Sequence, residues 1–195
     1  MDYEYPGTRV LANKFGVMDV GRLSRLEGRL SGLRMVELMR AGITGQFDAA
    51  HLRAINFALL QDVYDWAGQF RDVYLARGAH VFTQPGQIEA AIIEICSGAR
   101  AFLDGVCSGA VGRETLAGEL AQVLVALNNI HAFREGNGRT QRIFVSQMAQ
   151  RCGYTLSFAR MTETQMRNAS IAGYRGDIRL MRLHILDGLE GYLKK

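Results

Sequence analysis

The sequence predicts a mostly α-helical fold, one domain over residues 1–195, with a single short β-hairpin. Two prolines against 22 glycines in 195 residues suit long helices joined by glycine turns. Apolar residues recur at three- and four-residue spacing through most of the chain, the period of a helix with one buried face. The one break in that rhythm is a loosely alternating stretch from Phe70 to Thr83, rich in β-formers. The length suits one domain able to bury roughly two-thirds of its unfolded surface.

Taken in order, the elements have recognisable ends. Asp19 is an N-cap for a helix carrying Leu23, Leu26, Leu30 and Leu33, and Gly42 offers a stop. Asp48 caps a second, in which Leu52, Ile55, Leu59, Val63 and Trp66 keep the pattern up to Gly68, so the N-terminal helices cover about 19–68. Residues 70–77 and 80–83, separated by Gly78-Ala79, read as a hairpin over about 70–83. A two-stranded ribbon has little stability of its own, so it leans on the helices or grips an extended partner segment. Pro85-Gly86 opens a third helix with Ile88, Ile92, Ile95, Ala99 and Phe102 on one face. A helix-loop-helix over about 113–152 starts with Leu116, Leu120, Val123, Leu127 and Ile130. From Ile143 onward, Phe144, Met148, Ile178, Met181, Ile185 and Leu189 allow three more helices, the last two over about 162–193.

Composition excludes several classes. Hydrophobic residues at 48% and charged residues at 22% describe a globular chain. No apolar run approaches the ~18 residues of a membrane helix, and the acidic Met1-Asp2-Tyr3-Glu4 is no secretory leader. Cys96, Cys107 and Cys152 are an odd number without metal-ligand spacing, which fits a reducing compartment and the cytoplasm. The net charge of +4 is spread without a basic stripe, so direct nucleic-acid binding is not expected.

The chemistry concentrates in His131-Ala132-Phe133-Arg134-Glu135-Gly136-Asn137-Gly138-Arg139-Thr140-Gln141-Arg142, a polar loop between two helices. Gly136-Asn137-Gly138 can adopt positive φ and aim successive N–H groups at one anion, at the N-terminus of the following helix. Arg139 and Arg142 share a face there, where the helix dipole and their mutual repulsion disfavour both; an anion between them relieves both costs, and a polyphosphate is the natural one. Glu135 beside phosphates suits a magnesium ion, and His131 titrates where it could take a proton from a hydroxyl. Phe133 is a buried anchor. The Walker lysine pattern is missing, and Gln141 stands where a dinucleotide fingerprint needs glycine or alanine.

These residues resemble the motif of the Fic (filamentation induced by cAMP) family, H-x-F-x-[D/E]-G-N-G-R-x-x-R, matched by His131, Phe133, Glu135, Gly136, Asn137, Gly138, Arg139 and Arg142. Ala132 takes an unspecified place where many members have proline. Tyr5-Pro6-Gly7-Thr8, Leu11 to Gly16 and Asp62 to Arg71 are also similar to stretches of single-domain bacterial Fic toxins. The resemblance implies a Fic-type helical bundle with a hairpin flap beside the active-site loop. It implies AMP transfer from ATP to a hydroxyl side chain, with ATP as substrate and Mg²⁺ as cofactor. His131 would be the base and Glu135 the metal ligand. Gly136, Asn137 and Gly138 would cradle the α-phosphate, Arg139 would meet the β-phosphate and Arg142 the γ-phosphate. Val81, Phe82 and Thr83 would dock the target segment.

Fic enzymes are commonly restrained by a helix bearing [S/T]-x-x-x-E-[G/N]. The nearest match, Thr115 to Glu119, is followed by Leu120 and lies in the helix before the motif; Leu189-Glu190-Gly191 has Leu186 where a hydroxyl is required. The expected brake is therefore a separate small antitoxin carrying that helix. The expected targets are DNA gyrase and topoisomerase IV, each modified at a tyrosine in the ATPase region, in a bacterial cytoplasm. The alternatives are a secreted effector domain modifying host GTPases, and a non-catalytic binding module.

Overall fold

A computed structural model describes residues 2–78, 80–106 and 111–191. Its helices are α1 (Val20–Ala41), α2 (Ala49–Leu60), α3 (Ile88–Val106), α4 (Arg113–Ile130), α5 (Asn137–Arg151), α6 (Glu163–Tyr174) and α7 (Arg179–Gly188). The mostly α expectation therefore holds, as does the hairpin beside the motif loop.

The caps act as read. The Asp19 carboxylate accepts the Arg22 N–H at 2.7 Å, the Asp48 carboxylate accepts that of His51 at 2.8 Å, and Gly42 ends α1 at φ +67. A capping box that periodicity did not mark opens α6, with Thr162 and Gln165 bonded reciprocally. Pro85–Gln87 forms a 3-10 turn that leads into α3. Of the three cysteines, Cys96 is a buried thiol, and Cys107 lies outside the described residues.

α4 is the central rod. Leu116, Leu120, Leu124, Leu127 and Ile130 are buried, as are Ala117, Ala121, Val123 and Val125 on its other sides. Helices α3, α5, α6 and α7 pack around it, and α2 packs on α5 with α1 outside it. The motif loop, between the end of α4 and the start of α5, is thus held at both ends by core helices.

Three expectations about extent are corrected. α2 stops at Leu60, and the apolar rhythm continues through turns in which Val63, Tyr64 and Trp66 are buried. Backbone groups there find partners other than a helical ladder: the Val63 carbonyl accepts from Lys14 N, and the Gly68 N–H donates to the Asn56 side chain of α2. The hairpin strands are only β1 (Ala76–Arg77) and β2 (His80–Val81), antiparallel, with Gly78 at φ +61 in the turn and Ala79 outside the described residues. Phe70 and Arg71 do not pair because they turn inward onto the motif loop. At the C-terminal end, Leu189 leaves the helix: β3 (Thr155–Leu156) pairs antiparallel with β4 (Leu189–Glu190). Residues 192–195 of the expected final helix lie outside the described residues.

Among the described residues no helix is long and apolar enough to cross a membrane.

Candidate active site

The loop from His131 to Gly136 is shaped by its own side chains. His131 ends α4 in the left-handed region, φ 51 and ψ 59, which is costly for a residue with a Cβ. Phe133 is buried and tilts against Phe70, 5.4 Å between centroids, as an anchor should. The buried Asn137 accepts the Phe133 N–H at 2.9 Å and donates to the Phe133 carbonyl at 2.7 Å. Its side chain therefore closes the loop, and its backbone N–H faces the open start of α5.

Gly136 caps α5 at φ +79, and a Cβ there would meet Leu60 Cδ1 at 2.8 Å and Asn56 Nδ2 at 3.0 Å. Gly138 instead lies inside the first turn of α5 in ordinary helical conformation, so the positive φ anticipated for both glycines falls on Gly136 alone. No side chain caps α5, and the first-turn N–H groups of Asn137, Gly138 and Arg139 have no acceptor among the described residues. They leave the start of α5 open, at the place where the sequence expects an anion. Replacing Gly136 by alanine is expected to cost about 2–4 kcal/mol, from the left-handed backbone and the overpacking together. Urea denaturation measures this, and a change below about 0.5 kcal/mol would refute the tight fit.

The two motif arginines have different surroundings. Arg139 donates to Glu27 at 2.5 Å, to Ser31 Oγ at 2.6 Å and to Glu135 at 3.2 Å. Its charge is thus balanced by a carboxylate from α1, which also accepts the Tyr64 hydroxyl at 2.5 Å. Burial and that neighbouring carboxylate push the Tyr64 phenol up. The expectation that both arginines await an anion is therefore corrected for Arg139. Arg142, by contrast, is half-buried and its side chain makes no hydrogen bond or ion pair among the described residues, which leaves it open to an anion. Burial first, and the Arg139 charge second, depress its pKa.

Glu135 takes the Gly136 N–H at 2.7 Å on the same oxygen that meets Arg139, which leaves Oε2 without a partner among the described residues. Among the described residues no trio of His, Cys, Asp or Glu could hold a metal alone. A single carboxylate with a free oxygen at the edge of a phosphate nest fits a magnesium ion whose remaining ligands are phosphate and water.

The His131 ring stacks on Phe82, 4.0 Å between centroids at 13°. Burial pushes its pKa down to about 4, helped by the nearby positive charges of Arg77, Arg71 and His80. The Asn128 carbonyl opposes that shift slightly, but Nδ1 makes no hydrogen bond of normal geometry and is buried without a partner. The ring is thus neutral at physiological pH, with Nε2 as the nitrogen that can take a proton.

Of the flap residues, Val81 points outward and is 61% exposed, whereas Phe82 is buried under His131 and Thr83 offers its carbonyl to Arg71. Glu27, Ser31, Asn56, Tyr64 and Arg71 shape the site without belonging to the motif. Asn56 Nδ2 donates to the Glu135 carbonyl at 3.0 Å and to Thr140 Oγ1 at 3.1 Å, which ties α2 to the loop. Nothing in local periodicity distinguishes such residues; for Glu27, Ser31 and Asn56 only their polarity on a helix hints at a role.

An open helix N-terminus, a half-buried histidine, a carboxylate oxygen and an arginine that have no partner among the described residues thus come together on one loop and the start of one helix. The sequence profile of the Fic/DOC family matches residues 46–149, more than half of the chain, and the chain belongs to that family. It is 35% identical to "Protein adenylyltransferase VbhT" of Bartonella schoenbuchensis over 92% of this chain, but spans only 37% of that protein. It is 34% identical to "Probable protein adenylyltransferase y4lH" of Sinorhizobium fredii, covering 89% of this chain and 88% of that one. The N-terminal Fic domain of a VirB-translocated Bep effector from Bartonella quintana, solved with bound ADP, superimposes with a TM-score of 0.88 at 26% identity, covering 98% of this chain and 95% of that one. The chain thus carries a protein adenylyltransferase domain.

Proposed function

We propose that this chain transfers AMP from ATP to a hydroxyl side chain of a target protein. The observation that carries the reading is neutral His131 at the head of the short loop that leads into the open N-terminus of α5, with Arg142 one turn into that helix and without a partner among the described residues. In this reading the target hydroxyl oxygen forms a bond to the α-phosphorus and its proton goes to His131 Nε2. The bond from the α-phosphorus to the bridging oxygen breaks and diphosphate leaves. The N–H groups of Asn137, Gly138 and Arg139 meet the charge on the phosphates, and Arg142 takes the terminal one. Magnesium, held by Glu135, would supply charge neutralisation on the phosphates. A bound triphosphate brings negative charge close to His131, which draws its pKa up toward neutrality and strengthens it as a base.

Regulation follows from Arg142. Among the described residues no carboxylate pairs with it, so a glutamate supplied by a separate antitoxin helix would meet a vacant cation at the γ-phosphate position. This supports a toxin held by a partner in the bacterial cytoplasm, with the ATPase regions of DNA gyrase and topoisomerase IV as the targets the family resemblance implies. The effector reading has support of its own in the Bartonella quintana domain, which belongs to a VirB-translocated effector.

The test is transfer of label from ATP labelled on the α-phosphate, with Mg²⁺, to purified DNA gyrase and, separately, to bacterial and host-cell lysates. Label on gyrase that His131→Ala abolishes supports the toxin reading. Label confined to small GTPases in the host lysate replaces it with the effector reading. No label on any protein overturns AMP transfer.

A further inference from the structure

The most unusual polar group in the molecule outside the motif is Arg71. It is 2% exposed, the largest of the fully buried side chains, and has no carboxylate partner among the described residues. A buried guanidinium without a counter-ion is expensive unless every N–H finds an acceptor. Here the acceptors are all backbone carbonyls. Nε donates to His131 O at 2.8 Å, and one terminal nitrogen donates to Val73 O at 2.6 Å. The other terminal nitrogen donates to Thr83 O at 2.6 Å and Ile130 O at 3.2 Å. The Arg71 backbone N–H adds a bond to Ala132 O at 2.9 Å.

These acceptors belong to two groups. Val73 and Thr83 flank the hairpin on either side, so one planar fork fastens both of its legs. Ile130 and His131 are the last carbonyls of α4, where unsatisfied oxygens and the helix dipole favour a cation. The left-handed turn at His131, otherwise a strained backbone for this residue, gives the chain a shape in which the His131 carbonyl reaches Arg71 while the ring faces the flap and stacks on Phe82.

We propose that Arg71 is a positioning residue that fixes the catalytic histidine and the target-docking flap to one another. The inference rests on the AMP-transfer reading for its consequence, but its structural content stands apart from it. The five-donor planar fork explains why lysine cannot substitute: an ammonium keeps the charge at the helix end but cannot span the hairpin legs and the α4 carbonyls together.

The experiment compares wild type, Arg71→Lys and Arg71→Ala in the whole 195-residue chain. Hydrogen exchange is followed peptide by peptide, and carbethoxylation of His131 by diethyl pyrocarbonate is followed by mass spectrometry. With Arg71→Lys, exchange over 73–83 should rise about tenfold or more, the scale of a lost hydrogen bond to a charged group, while α2, α4 and α5 keep their protection. His131 should react several-fold faster as Phe82 lifts away, with buried His51 unchanged. Binding of Mg-ATP should stay within about twofold, since the phosphate end is untouched, while kcat and the KM for DNA gyrase both worsen. Millimolar guanidinium should restore flap protection in Arg71→Ala. Wild-type flap exchange and His131 reactivity in Arg71→Lys would overturn the inference. So would a rise spread evenly over the helices, which would make Arg71 a general core strut. Failure of the wild-type protein to transfer AMP would sink the transferase reading and leave the exchange and labelling results to decide on Arg71.

Discussion

Replacing His131 by alanine is expected to lower AMP transfer by roughly two to four orders of magnitude, the usual contribution of a positioned general base. ATP binding should change far less, because in the proposed pose the phosphates take their hydrogen bonds from the start of α5 and from Arg142 and none from the ring. Steady-state labelling and titration of Mg-ATP separate the two effects. A fall in transfer matched by an equal fall in nucleotide affinity would remove His131 from the role of base. The pH dependence is a second and independent check. Burial and three neighbouring cations hold the free enzyme's imidazole near 4, so kcat/KM should stay level as pH falls through the ordinary histidine range. An acid limb at about 6.5 would show a solvated ring.

The same shift enters folding stability with a definite sign. The His131 pKa is lower in the folded protein than in the unfolded chain, so the unfolded chain takes up the proton first. The contribution is complete above about 6.5 and is lost as pH falls toward about 4. His51 and His80 are shifted in the same direction by burial, so the acid loss of melting temperature in wild type is a sum. The His131 share is what disappears in His131→Ala, whose stability should fall less steeply over that window.

How far the sequence reaches is visible in particular residues. Asp19 and Asp48 gave true helix starts because a cap is a local event, one carboxylate and one N–H three residues on. The end of α2 was not legible, because Val63 and Trp66 are buried and apolar periodicity reports burial and not backbone conformation. The motif residues were readable because a phosphate nest compresses its chemistry into one loop and one helical turn. Glu27, Asn56, Tyr64 and Arg71 were not, since each acts through a contact far along the chain: Glu27 with Arg139, Arg71 with His131. The different environments of Arg139 and Arg142 were equally hidden. Their spacing is all that a sequence shows, while the difference comes from α1 crossing one of them and not the other.

That asymmetry leads to a prediction with opposite effects on stability and function. Arg142 is a half-buried cation with no partner among the described residues and a second arginine one turn away. In the nucleotide-free protein it costs desolvation and like-charge repulsion with nothing to offset them. Arg142→Met keeps most of the volume and removes the charge, so the free protein should become more stable by about 1 kcal/mol or more in urea denaturation. ATP should bind more weakly by about one to two orders of magnitude, the loss of a charge-assisted phosphate contact. An antitoxin acting through a glutamate should lose its hold on the variant, since the same guanidinium serves both anions. Arg139→Met should behave differently. Arg139 is already paired, so its removal strands Glu27 and Glu135 and destabilises the free protein. If Arg142→Met were destabilised to the same degree as Arg139→Met, Arg142 would have a structural partner in solution. The vacancy that makes it the receiver of the terminal phosphate, and of an inhibitory carboxylate, would then be ruled out.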